Sequence, residues 1–406
     1  MENPRLRPLE VFPVQASGQS MIGLRDPAGY AEQTLFLPQP LFFIISMLDG
    51  QHSILDIQAE YMRRQGELLF RDKIEEIVAK LDENLFLDSP RFRRHLQKVS
   101  ERFQASPVRP AFNAGKSYRA APDELDQEIR GLFVGEDGPG LPDDSRVGPR
   151  LKGAILPHMD YARGKSCYAY GYKQLAESKP VDLFVILGTC HADLDGSFCL
   201  TEKDFQTPFG VLKTDKGFVR ALAQKYGDDP FKEELAQRAE HSIELQTVLI
   251  QNLLGRNRKV EIVPILCGSF QQALKDNVLP VQLEEVGRFI NALKQTVAET
   301  DKRILIIASG DFSHMGPRFG DGYNITATYL GLIEREDLAD IKLLEGLDAD
   351  GFFRSVASSK NGRKICGWPS FYVLLKVIDA RRGKLLKYCQ WPDPQGTVSF
   401  ASIAFY

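Results

Sequence analysis

The chain has 406 residues, 43% of them apolar and 26% charged, with a formal net charge of −3. That length exceeds one ordinary core and predicts two domains, and the near-neutral balance gives no general pull toward nucleic acid or an anionic membrane. The first residues, Met1-Glu-Asn-Pro-Arg-Leu-Arg-Pro8, form no apolar signal core, no uncharged apolar run approaches the ~18 residues that span a bilayer, and the six cysteines include no CxxC pair, so a cytoplasmic protein without a disulfide scaffold or zinc ribbon is expected.

In chain order, Val11-Phe-Pro-Val14 and Met21–Tyr30 predict short strands, with Asp26-Pro-Ala-Gly29 as a turn between two of them. Helices are predicted over Gln39–Leu48, ended by Asp49-Gly50; over Ser53–Arg64, with Ser53 as N-cap and Asp56 in a box-like position; and over Arg71–Glu83. Asn84-Leu-Phe-Leu-Asp88 reads as a short strand after them. Residues 89–119 are rich in Arg and Lys, including Arg91, Arg102 and Arg109, with prolines at 90, 107 and 110. A solvated helix and a linker explain those charges. Acidic residues on the preceding helices, such as Glu60, Glu75 and Glu76, argue against a nucleic-acid surface, which is not expected.

From residue 114 strands and helices alternate. Strands are predicted at 152–157, 181–188, 259–266, 303–309, 384–391 and 397–405. Helices are predicted near 122–133, 164–177, 215–226, 241–254, 280–298, 324–334 and 369–381, with a loop over Gly135–Gly148. This predicts a three-layer α/β/α domain with a largely parallel central sheet. Three apolar runs lead to a histidine: Gly153-Ala-Ile-Leu-Pro-His158, Val181 through His191, and Ile304 through His314. The carboxyl ends of such strands are where ligands and chemistry collect. One such histidine alone is ordinarily a satisfied structural residue; three at equivalent strand ends, with Asp311 and the Cys366 loop, point to a metal or acid–base site.

Several motifs then carry a family resemblance: Leu156-Pro-His-Met-Asp-Tyr161 with Arg163-Gly164, Leu187-Gly-Thr-Cys-His191, Glu240-His-Ser-Ile-Glu-Leu-Gln246, Val263-Pro-Ile-Leu-Cys-Gly268, Ser309-Gly-Asp-Phe-Ser-His-Met-Gly316 and Ile365-Cys-Gly-Trp-Pro369. In this order they make residues 114–406 resemble the Memo-like family, the B component of the AmmeMemoRadiSam group, itself similar in fold to class III LigB-type extradiol dioxygenases. Residues 1–110, a small α+β unit plus a basic linker, resemble a winged helix of the PqqD type through Phe42–Ile57 and Ile74–Leu87.

The resemblance implies metal ligation by His158, His191 and Cys366, with Asp311 and His314 as catalytic groups and a radical-SAM and AMMECR1-like partner system. Neutral imidazoles and a thiolate suit iron(II), the expected ion, with copper or zinc as alternatives; magnesium and calcium prefer oxygen. Cys366 precedes a helical stretch whose N-terminus would lower its thiol pKa. His241 is expected to support the pocket or bond the backbone. Asp160 and Cys190, where small residues and serine are commoner in the family, are second-shell candidates or packing residues. Dioxygenases complete the site with a carboxylate rather than a thiolate, so ring cleavage is not inherited. Two functions stay open: a metal-dependent redox enzyme acting on a small molecule or modified residue, or a scaffold that binds a peptide or protein in the crevice and through the front domain.

Overall fold

A computed structural model describes residues 2–16, 19–31, 33–143, 145, 147–192, 194–255 and 259–406. They divide into two compact units, Met1–Ala105 and Ser106–Tyr406. No helix among the described residues is long and apolar enough to cross a membrane.

In the front unit β1 (Glu10–Ala16), β2 (Gln19–Arg25) and β3 (Leu35–Pro38) form an antiparallel sheet in chain order. Helices α1 (Gln39–Ser46), α2 (Ile54–Gln65), α3 (Arg71–Glu83) and α4 (Pro90–Ala105) follow. The start of α2 is set by a reciprocal cap, in which the Asp56 amide donates to the Ser53 hydroxyl at 3.2 Å and the Ser53 amide donates to the Asp56 carboxylate at 2.8 Å. Gly66, at φ 71°, ends it. The strand expected at Asn84–Asp88 does not form. Leu85 takes a positive φ of 64°, which turns the chain sharply after α3, and Leu87 makes only a single bridge, to Leu6. The apolar run is there because Phe86 and Leu87 are fully buried in the core with Ile44, Ile57 and Ile74.

The back unit opens with β4 (Val108–Arg109), α5 (Pro122–Val134), β5 (Gly153–Leu156), α6 (Tyr161–Ala176) and β6 (Leu183–Thr189). It continues through β7 (Phe198–Leu200), β8 (Asp204–Thr207), β9 (Gly210–Thr214), α7 (Lys216–Tyr226), α8 (His241–Leu249), β10 (Glu261–Cys267), α9 (Gln271–Asp276) and α10 (Glu284–Glu299). The last part is β11 (Ile304–Ser309), β12 (His314–Met315), α11 (Ala327–Glu345), α12 (Ala349–Ser358), α13 (Trp368–Val377), β13 (Gly383–Trp391) and β14 (Thr397–Phe405).

The sheet runs β12-β14-β5-β11-β6-β10-β9-β8-β4, with β13 beside β14 and β7 beside β10. Its centre, β5-β11-β6-β10, is parallel and reads as unbroken apolar sequence because both faces are covered. Alternate residues of β6 show the two layers: Leu183, Val185 and Leu187 pack with α7, α10 and α13, whereas Phe184 and Ile186 pack with α5, α6 and α8. The short strands β7, β8 and β9 and the helix α12 lie outside the predicted elements. So does the second half of α11, whose buried Asp337 and Asp340 interrupt the apolar period.

Arg109, expected in a solvated linker, is instead fully buried in this unit. It donates to the Glu244 carboxylate and to the carbonyls of Gln237, Pro110 and Glu240.

Candidate metal centre

Because β11 lies between β5 and β6, the loops after all three strands open at one end of the sheet. His158 comes two residues after β5, His191 two after β6 and Asp311 two after β11. Two glycines make the approach of the Cys366 loop possible: a Cβ on Gly310 would lie 2.4 Å from the Gly367 Cα, so a side chain at either position would push Cys366 away from Asp311. The opening of α8 is drawn in equally closely, since a Cβ on Gly188 would meet Ile243 at 2.6 Å. Hydrogen bonds tie the pieces together. Gln246 donates from Nε2 to the Pro157 carbonyl and the Ser309 hydroxyl, Ser309 donates to the Ser242 carbonyl, and Ser242 donates to that of Thr189.

His158, His191 and His241 come together with candidate ligand nitrogens all within 4.8 Å of one another. The His191 and His241 rings stack at 4.6 Å, and His158 stands edge-on to them at 5.0 and 5.1 Å. Cys366, expected as a ligand, lies next to this group rather than within it, its Sγ 3.3 Å from His158 Nε2. His158 is almost fully buried, while the His191 side chain keeps 39% of its surface and His241 33%. The cluster therefore has a closed floor and an open mouth.

Each imidazole is anchored through Nδ1. In His158 this atom lies 3.3 Å from the Ser309 carbonyl; in His191 it lies 3.1 Å from both Glu240 carboxylate oxygens. In His241 it lies 3.3 Å from Glu240, and in His314 it lies 3.0 Å from the Phe312 and Lys364 carbonyls. Carbonyl and carboxylate oxygens only accept, so Nδ1 carries a proton; in the neutral imidazoles of His158 and His314 the Nε2 lone pair is left for a ligand, while His191 offers its own only once its second proton is displaced. His314 opens β12, stands edge-on to Phe319 at 5.2 Å, and lies outside the three-histidine group.

The electrostatics divide the groups. Burial, reinforced by His191 and His241, holds the His158 pKa well below its usual value, and burial brings both His241 and His314 down to about 4. His191 goes the other way: burial opposes its charge, but the Glu240 carboxylate and the Cys366 thiol outweigh it and raise the pKa well above the ordinary range. The site thus favours a cation at His191, a demand that a proton or a metal ion can meet. Glu240 faces the same burial, overcome by His191 and by the Ser242 amide, and stays well below the usual carboxylate range. Asp311 is pushed up to about 7 by burial. Its Oδ1 accepts the His158 amide at 3.0 Å, and its Oδ2, 3.6 Å from His158 Nε2, is buried without a hydrogen-bond partner.

Cys366 does precede a helix, α13, yet burial raises its thiol pKa and His191 offsets this only in part. The expected depression by the helix end is not found, because desolvation at this depth outweighs a helix-terminus effect. Asp160 caps α6 by accepting the Arg163 amide at 2.9 Å and also pairs with the Arg163 guanidinium. Cys190 donates its amide to the Cys267 carbonyl and packs against the core beneath.

Glu240 and the groups behind it were not singled out by the sequence reading. The Glu244 carboxylate, fully buried, accepts from Arg109, from the Asn113 amide and side chain, and from the Tyr118 hydroxyl. The signal was present in Glu240-His-Ser-Ile-Glu244-Leu-Gln-Thr-Val-Leu249: two carboxylates four residues apart, in a stretch with no lysine or arginine to pair them, need partners from elsewhere in the chain once buried. A second network holds the opposite wall. Asp337 accepts from Ser313, Ser399, Tyr388 and Arg363, and the Arg363 carbonyl accepts the His314 amide.

The molecule is a mixed α/β protein whose largely parallel sheet carries, at the carboxyl ends of its central strands, three histidines that could hold a metal ion. Comparison with known proteins makes this specific: the model of the family described as Memo-like protein matches residues 109–404, and the chain belongs to that family. It is 28% identical over 400 residues to a MEMO1 family protein of Aquifex aeolicus, covering 97% of this chain and 98% of that one. A MEMO1 family protein of Methanopyrus kandleri is 30% identical over 303 residues, which cover 72% of this chain and 96% of the relative. One from Pyrobaculum aerophilum is 29% identical over 309 residues, 74% and 99% of the two chains. The archaeal relatives thus match over nearly their whole length with about three quarters of this chain, whereas the Aquifex relative matches end to end.

Proposed function

We propose that the chain binds one transition-metal ion through His158, His191 and Cys366, with His241 beside them, and works as a redox enzyme on a small molecule or modified residue. The observation that carries this reading is the convergence of the side chains: the three histidines offer nitrogens within 4.8 Å of one another, Nδ1 of His158 and of His191 is held by an oxygen, and the Cys366 Sγ lies 3.3 Å from His158 Nε2. The donor set suits iron(II) first and copper or zinc next. The unpartnered Asp311 Oδ2 beside His158 fits the group as well, since a cation would stabilise its charged form. Such an ion supplies Lewis acidity and, for iron or copper, one-electron chemistry.

The chain's own groups would then move protons. Burial pushes Asp311 up to about 7 in the metal-free protein, and a bound cation would draw it toward the carboxylate, a proton acceptor beside His158; His314, neutral and anchored through Nδ1, is the candidate base. Metal analysis of the wild type against His191→Ala and Cys366→Ser, with oxygen uptake in the presence of a catechol, tests both halves of the reading. Stoichiometric metal in the wild type and its loss in both variants is expected; equal retention overturns the ligand assignment.

For the front unit the proposal is recruitment, by a PqqD-like mode, of a peptide or protein of a radical-SAM and AMMECR1-like partner system. It rests on the edge strand β3, where Phe36 keeps 51% of its surface exposed. Binding of partner-derived peptides to the full chain, lost on Phe36→Asp, is the expected result.

A further inference from the structure

Two cysteines outside the metal centre face each other across a secondary-structure contact. Cys167 is fully buried in α6, and Cys389 is half-buried in β13. The Cys167 thiol donates to the Lys387 carbonyl at 3.8 Å and lies 3.7 Å from the Ser402 hydroxyl. In the register of β13 and β14, Lys387 stands opposite Ser402 and Cys389 opposite Phe400. Residues two apart share a face of a strand, so the face that meets Cys167 at Lys387 presents Cys389 next to it. Packing says the same. Cys167 and Phe400 share one small apolar cluster with Met159 and Val398, against which Cys389 and Trp391 pack, and the Lys387 ammonium sits 5.3 Å over the Tyr170 ring of α6.

The two thiols also differ in character. Burial pushes Cys167 well up, whereas Cys389 is held below the ordinary thiol value, first by its hydrogen bond to Cys167 and then by the Lys387 and Lys165 ammonium groups, against burial. That is the division between an accessible attacking thiol and an inner resolving one. Lys165, two residues before Cys167, has φ 41° and kinks α6, so the segment bearing Cys167 is already set apart from the first helical turn.

We propose that Cys167 and Cys389 form a reversible disulfide that joins α6 to β13, with a small disulfide such as oxidised glutathione as the oxidant. The Cys389 thiolate attacks one glutathione sulfur, breaking its S–S bond and expelling a glutathione thiolate. Cys167 then attacks the Cys389 sulfur of the mixed disulfide and expels the second glutathione. Two cysteine thiols are oxidised, one glutathione disulfide is reduced to two thiols, and the two cysteine protons end on them.

The test uses the full chain with oxidised glutathione. Thiols titrated after denaturation should fall from the six of the sequence to four. Tryptic mapping without reductant should link residues 166–173 to residues 388–406, and dithiothreitol should restore all six thiols. Cys389→Ser should hold its remaining five throughout, and Cys167→Ala should trap glutathione on Cys389. An unchanged count, a fall without that linked pair, or equal loss in Cys389→Ser overturns the proposal.

Discussion

The front and back units each bury an arginine–carboxylate pair, and they differ in what lies one bond beyond it. In the front unit Arg7 meets Asp26 at 2.6 Å, donates to the Leu85 carbonyl and lies 4.0 Å over the Phe92 ring, while Asp26 accepts the amides of Ala28, Tyr30 and Ala31. Every bond there closes a turn or an edge of the core. In the back unit Arg109 meets Glu244 and also holds the Glu240 carbonyl, and the Glu240 carboxylate holds His191. The same device is structural in one unit and is coupled to the ligand cluster in the other, and buried charge acquires a functional reading only through such a continuation.

Arg109→Met gives the largest expected effect. It leaves the Glu244 charge buried without its main partner, a loss of about 3–5 kcal/mol for a pair of this kind, and it releases the start of α8. Thermal unfolding of the back unit should move down and metal content should fall with it. Arg7→Met should destabilise the front unit by a similar ~3–5 kcal/mol and leave metal content per folded chain unchanged. Hydrogen exchange resolves the two units. Metal loss in Arg7→Met, or full retention in Arg109→Met, would break the comparison.

Glu240→Gln is smaller and more specific. An amide can still accept from His191 but lacks the charge that favours a cation there. Metal affinity should fall about 10- to 100-fold, the usual range for a group that orients a ligating histidine, with little change in unfolding. Asp311→Asn is the contrast: it removes a nearby charge but no ligand, so metal should bind more weakly yet still load to stoichiometry at saturating concentration, while turnover disappears. If Asp311→Asn strips the metal, Asp311 is a ligand and the division of roles fails.

The sequence disclosed the parts of the site that local pattern controls. Four apolar runs became the parallel strands at the centre of the sheet, and His158, His191 and Asp311 fell at their ends for that reason. The start of α2 was legible because Ser53 and Asp56 interact over three residues. Arg109 was not legible. A basic residue in a proline-rich stretch reads as solvated, and its partner Glu244 is 135 residues away. Asp337 in α11 is alike, since Ser399, 62 residues on, helps to bury it and the charge-rich helix around it reads as surface. The loop from Asn84 to Asp88 failed for the opposite reason: its apolar residues signalled burial correctly, but burial alone does not choose between a strand and a turn.

The smallest effect expected belongs to an exposed turn of the front unit, and it sharpens the comparison from the side of pH. Asp49 accepts the Gln51 amide at 2.8 Å and the His52 amide at 3.1 Å, and its second oxygen lies 3.0 Å from His52 Nδ1. These bonds, the Gln51 amide first and the His52 ring second, lower its pKa from 3.8 to about 2. A carboxylate whose folded pKa is depressed binds its proton more weakly than in the unfolded chain. Its contribution is therefore complete above about pH 4 and is lost as the pH falls through about 2. Asp49→Asn removes that titration, so the front unit of the wild type should lose stability more steeply over this window than the variant does, and the two should converge below it. Denaturant unfolding followed at pH 6, 4 and 2, with amide exchange at residues 47–57 as the local probe, measures the difference. Equal slopes would mean that the turn adds nothing to folding, and that the front unit rests on its buried Arg7–Asp26 pair and apolar core alone.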